Sequence, residues 1–189
     1  MLMATKIRRW TLEELNHLPG DGNTYELVHG ELLVSPAPAP PHDDVGAQLL
    51  RILFPYVEAQ RVGLIYLPHS VVQVLPDSQV EPDLMVHPGP RRPLEPFAER
   101  AMPILVIEIL SKHSRRRDRV LKRGFYLEQA IPDYWIVDAE GRSITTARPG
   151  SNDVVVTEQL VWHPWGARTP LSFDVAAMFR QALGQVSAD

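Results

Sequence analysis

A chain of 189 residues with 44% hydrophobic residues, 22% charged residues and a net charge of −4 has the make-up of a soluble globular domain, long enough to bury about two-thirds of its unfolded surface. The absence of cysteine excludes a disulfide framework, thiolate metal ligands and cysteine nucleophiles, and fits a reducing compartment. The opening MLMATKIRRW carries basic residues with no apolar core behind them, and no run reaches membrane-spanning length, so the expected location is cytoplasmic with no membrane partner.

In chain order, Thr11-Leu12-Glu13-Glu14 has the form of a capping box on a short helix that ends before Pro19-Gly20. Tyr25 to Val28 and Glu31 to Val34 flank His29-Gly30, which predicts a tight hairpin with Val28 opposite Glu31 and Glu26 opposite Leu33. One face is then wholly apolar, and the other shows Glu26, Val28, Glu31 and Leu33; acids there also suit the wet side of a hairpin. The proline-rich stretch from Ser35 to Pro41 is an extended connector. It ends at His42, where Asp43 or Asp44 caps a helix whose apolar positions Val45, Leu49, Leu53 and Val57 keep helical spacing. On residue type alone His42 is a cap or a surface group.

Leu64 to Leu67 and Val71 to Leu75 are expected strands, followed by a third, Val80 to Val86, that carries Asp83. Residues 87 to 103, with five prolines, form a long loop. Ile104 to Leu110 is a continuous apolar run interrupted by one carboxylate, the pattern of a buried central strand. Alternation puts Ile104, Val106, Glu108 and Leu110 on one face. An ionised Glu108 in such company is costly unless it is paired, hydrogen-bonded or bound to metal. Asp83 is the nearest candidate partner upstream.

Ser111 or Ser114 caps the next helix, which is expected to reach about Ala130 and on which Asp118, Lys122 and Tyr126 recur every fourth residue. Taken alone, Asp118 and Lys122 are a surface ion pair. Residues 112 to 123 hold Lys112, Arg115, Arg116, Arg117, Arg119, Lys122 and Arg123 against Asp118, a local balance of +6 beside −10 for the remainder, so a basic patch adjoins Glu108. A solvated helix face is the plainer account of that run. Asp133 to Asp138 is another buried strand, Ser143 to Ala147 and Asp153 to Trp162 extend the sheet in antiparallel fashion, and Asp174 to Leu183 is a closing helix.

The stretches YELVHGELLVSP (25 to 36), EPDLMV (81 to 86), ILVIEILS (104 to 111), the helix with Asp118, Lys122 and Tyr126, and IPDYWIVD (131 to 138) occur in an order that resembles the Uma-two family of restriction endonuclease-like proteins. That family is a bacterial branch of the PD-(D/E)XK nuclease superfamily, and the resemblance spans residues 11 to 183. It implies an α/β (α+β) restriction endonuclease-like core, a central mixed β-sheet flanked by helices, with residues 1–189 as a single domain. It also implies a divalent-metal-dependent endonuclease acting on DNA phosphodiester bonds. Such hydrolysis needs a deprotonated water in line with the leaving oxygen and neutralisation of phosphate charge, and Mg2+ or Mn2+ on hard oxygen ligands supplies both.

The metal set that the resemblance implies is Asp83, Glu108 and the backbone carbonyl of Ile109, with Glu31, preferred over Glu26, as an outer or second-metal ligand. Glu26, His42 and Tyr126 are supporting residues. The superfamily places a lysine two residues beyond the glutamate, and here that position is Leu110. Lys122 from the following helix is the expected replacement for the missing amine, and it is preferred to Lys112. Lys112, Arg115, Arg116, Arg117 and Arg119 are expected to bind DNA. A homodimer is expected, since two sites cut two strands, with residues 143 to 162 offering the surface. Leu110 keeps a second reading open, a catalytically inactive nucleic-acid-binding or mobile-element accessory module on the same scaffold. In a third, Asp83 and Glu108 merely satisfy each other.

Overall fold

The computed structural model describes residues 8–37, 40–89, 99–111 and 114–184. Helix α1 (Leu12–Asn16) starts with the predicted capping box: Glu14 N–H donates to Thr11 Oγ1 at 3.1 Å, and Thr11 N–H donates to Glu14 Oε2 at 3.0 Å. Strands β1 (Thr24–Val28) and β2 (Glu31–Ser35) pair in the predicted register, around His29 and Gly30 at φ 49° and 73°. A Cβ at Gly30 would also lie 3.2 Å from the Trp10 carbonyl oxygen, so both the backbone angle and the close approach favour glycine.

Helix α2 (Pro40–Gln60) begins earlier than the sequence suggests, so His42 lies in its first turn and neither Asp43 nor Asp44 is its cap. Prolines suit this position, where backbone N–H groups have no helical partner. Val45, Leu49, Leu53 and Val57 form its buried line. Strands β3 (Leu64–Tyr66), β4 (Val72–Val74) and β5 (Ser78–Val80) are short. The expected strand from Val80 to Val86 is in fact two: β5 belongs to a four-stranded sheet, whereas β6 (Leu84–His87) belongs to a six-stranded one. Glu81-Pro82-Asp83 is the crossing between them, and Pro82 has no N–H to offer a ladder.

Strand β7 (Leu105–Ile109) is buried at every position. The expected continuous helix after it contains a π-helical segment, Arg117–Lys122, that leads into α3 (Arg123–Glu128). Strands β8 (Asp133–Asp138) and β9 (Ser143–Ala147) follow. The expected strand from Asp153 to Trp162 is divided: β10 (Val154–Val156) edges the large sheet, while β11 (Gln159–Trp162) pairs with β12 (Leu171–Asp174) in a ribbon that leads to α4 (Val175–Leu183).

The six-stranded sheet has the order β10-β9-β8-β7-β6-β3 and is parallel only at β7–β8, so it is the expected mixed central sheet flanked by helices. Leu105, Ile107 and Ile109 of β7 pack with residues of α2 and α4 on one face. Val106 and Leu110 pack on the other with Phe125 and Tyr126 of α3 and with Val28, Leu33, Val72 and Val80 of the four-stranded sheet, ordered β2-β1-β5-β4. Burial on both faces explains why β7 reads as an uninterrupted apolar run. No helix among the described residues is long and apolar enough to cross a membrane.

Candidate active site

Alternation along β7 turns Glu108 toward the face shared with α3 and the four-stranded sheet, where it is 3% exposed. Its Oε1 accepts hydrogen bonds from Tyr126 Oη at 2.6 Å and from Lys122 Nζ at 3.0 Å. The same ammonium lies 2.7 Å from Glu26 Oε1 and 3.9 Å from Asp118 Oδ1. One lysine therefore faces three carboxyl groups, and all four residues are buried. The π-helical segment carries both Asp118 and Lys122, and both are buried. Tyr134 pins the segment by donating its hydroxyl to the Asp118 carbonyl oxygen at 3.0 Å.

Asp83, at the crossing between sheets, accepts the Ile109 N–H on Oδ2 at 2.7 Å, and the same oxygen is 3.1 Å from His42 Nε2. His42 Nδ1 is 3.5 Å from Asp43 Oδ1, within ion-pair reach but without a hydrogen bond. Glu81 donates its N–H to Glu26 Oε1 at 2.7 Å, and its carboxylate lies 3.4 Å from His69 Nδ1. These groups open on one cavity of about 740 Å3, lined among others by Glu26, His42, Glu81, Asp83, Glu108 and Lys122.

Burial pushes the Glu108 carboxyl well above its usual range; the Lys122 charge opposes this, and the charges of Asp118, Asp83 and Glu26 add to it. Burial likewise raises Asp118 to about 6 against the pull of Lys122 and of a hydrogen bond from Ser114. Burial alone would lower Lys122, but Glu108, Glu26 and Asp118 outweigh it and hold the ammonium protonated. His42 follows the same logic: burial lowers it, and Asp83, helped by Asp43, raises it by more. Burial, reinforced by Glu108, keeps Tyr126 a phenol and hence a donor.

The structure brings Asp83, Glu108, Ile109, Lys122 and His42 to the cavity and sets Tyr126 behind Glu108. Glu31 is not among these residues: it is exposed beside the hairpin turn, opposite Val28. Glu26 shares the face of Glu31 but lies about 7 Å further along the ladder, at the end that meets Glu81, so Glu26 occupies the position expected of Glu31.

Three of the four arginines expected to bind DNA have partners within the chain. Arg115 donates to Asp138 at 2.7 Å and to Glu140 at 2.6 Å, Arg119 donates to Asp138 at 3.0 Å, and Arg117 donates to the Val34 carbonyl at 2.6 Å. These guanidiniums are matched within the protein. Arg116 alone of the four is exposed and makes no ion pair among the described residues. Lys112 lies outside the described residues. Asp118 and Glu81 were missed as members of the site, although Asp118 carried a signal in its four-residue spacing from Lys122.

No three histidine, aspartate or glutamate residues form a ready-made metal cluster among the described residues. The donor chemistry nevertheless suits a hard cation. Glu108 accepts both its bonds on Oε1 and Asp83 makes both its contacts on Oδ2, so each carboxylate keeps a second oxygen outside them. Five carboxyl groups, Glu26, Glu81, Asp83, Glu108 and Asp118, stand with only two basic groups, Lys122 and His42.

A mixed sheet with a buried glutamate on its central strand, an aspartate entering the adjacent strand and a lysine from the next helix defines a restriction endonuclease-like scaffold. A crystal structure from Anabaena variabilis, described as a "putative nuclease belonging to DUF820", matches this fold with a TM-score of 0.75 at 23% identity, over 92% of this chain and 99% of that one. A comparison with curated proteins gives no match. The Uma2 model, described as "Putative restriction endonuclease", matches residues 12–172, and the chain belongs to that family.

Proposed function

We propose that the protein is a divalent-metal-dependent endonuclease that hydrolyses DNA phosphodiester bonds. The observation that carries this reading is the pair Asp83 and Glu108, which come from the entry to β6 and from β7 to one cavity lined by more carboxyl groups than cationic ones. The second oxygens of Asp83 and Glu108, with the Ile109 carbonyl, would hold Mg2+ or Mn2+. When bound, such an ion lowers the pKa of water and polarises a phosphoryl oxygen.

The remaining roles belong to the chain's own groups. Lys122 stays protonated, which makes it an electrostatic donor to phosphate charge and not a proton acceptor. Glu26 and Asp118 hold that ammonium, Tyr126 fixes the Glu108 carboxylate, and His42 orients Asp83. Leu110 is buried in the apolar cluster with Val106, and the amine absent there reaches Glu108 from Lys122 instead. A homodimer would set two such sites about a two-fold axis.

Thermal unfolding with Mn2+ tests the metal assignment. The wild-type midpoint should rise with metal concentration as expected for a ligand of the folded state, and the rise should vanish in Asp83→Asn and Glu108→Gln. An unmoved wild-type midpoint would leave the two acids as a structural pair.

A further inference from the structure

We infer that the cavity takes a single strand of DNA, with the scissile phosphate presented by an unpaired nucleotide. This rests on the nuclease reading above and narrows its substrate. The reacting groups lie deep: the side chains of Glu108 and Lys122 are 4% and 6% exposed. A phosphate that reaches them has to enter the cavity and not merely pass over its rim.

The shape suits a strand without its partner. A volume of about 740 Å3 falls within the roughly 300–1,000 Å3 of pockets that enclose drug-sized ligands, the scale of one or two nucleotides. Pro36, Ala37, Pro41, Pro68 and Leu110 give the wall apolar surface against which a base can lie. A paired base would first have to leave its stack, at a cost that is smallest for a mismatched, damaged or already single-stranded nucleotide.

His69 supplies a face at the rim. It lines the cavity with its side chain 89% exposed, and the Glu81 carboxylate 3.4 Å away steadies the ring. An exposed ring beside an apolar slot is the arrangement on which unpaired bases stack. Arg115 is paired with Asp138 and Glu140, and Arg119 with Asp138.

Fluorescence anisotropy with a labelled oligothymidylate and a labelled hairpin duplex, both in Ca2+, tests the inference. The single strand should bind at least tenfold more tightly, and His69→Ala should weaken it by about tenfold, the scale of one lost base stack, with duplex binding and the Mn2+-induced thermal shift unchanged. Equal or tighter binding of the duplex, or binding of neither, overturns the inference. Cleavage in Mg2+ or Mn2+ separates it from the reading beneath it: duplex cut faster than single strand keeps the nuclease and sinks the strand preference, whereas a single strand bound tightly but cut in neither metal keeps the preference and sinks the nuclease.

Discussion

Replacing Lys122 with methionine keeps the stem and removes an ammonium that lies 3.0 Å from Glu108, 2.7 Å from Glu26 and 3.9 Å from Asp118. Breaking a buried pair by deleting one partner costs about 3–5 kcal/mol, and here three buried carboxyls lose the same counter-charge. Two of them have an escape, since Glu108 and Asp118 are already raised by burial and can take up protons. Without the lysine their folded-state pKa values rise further above the unfolded ones. The folded variant then binds more protons than the unfolded chain across that window, and stability falls as pH increases. Urea unfolding should therefore show a loss near the top of the range at pH 8 and a smaller loss at pH 5. Adding Glu26→Gln should recover at least about 1 kcal/mol at pH 8, a coupling typical of groups in one buried network. A Lys122→Met variant as stable as wild type at pH 8 would refute the reasoning, because the ammonium would then not be the counter-charge that makes the cluster tolerable.

Asp118, raised from 3.8 to about 6, takes up a proton on folding between those values, so it destabilises the fold increasingly as pH rises, by up to roughly 3 kcal/mol above pH 6. The stability of Asp118→Asn relative to wild type should grow by a comparable amount between pH 4 and pH 7, and a constant difference would contradict this. Arg119→Ala should cost under about 1 kcal/mol, since its pair with Asp138 is partly exposed, and should leave the salt dependence of DNA binding nearly unchanged; a slope reduced by a full charge would place Arg119 on the DNA. Light scattering at micromolar concentration should give a dimer, and a monomer would remove the two-fold arrangement.

The hairpin was legible because the two-residue link His29-Gly30 fixes its register, and the burial of Glu108 was legible because an apolar run on both sides leaves a strand nowhere else to go. The choice of Lys122 as the amine rests on the family resemblance, and the π-helical segment that carries it with Asp118 has no sequence mark. The choice between Glu31 and Glu26 could not be read, since both share one face and only the crossing at Glu81 distinguishes the ends. The fate of the arginines was equally hidden, because Asp138 and Glu140 lie about twenty residues downstream and reach them only through the sheet. Strand β12, a short segment with alternate residues half-buried, pairs with β11 and carries too weak a pattern to stand out.

Cleavage of end-labelled DNA by wild type and Glu108→Ala, purified identically and incubated with Mg2+ or Mn2+, tests the central claim most directly. Wild type should give metal-dependent products, abolished by chelation, and the variant should be at least about two orders of magnitude less active. No products in either metal, or equal products from both proteins, would contradict it.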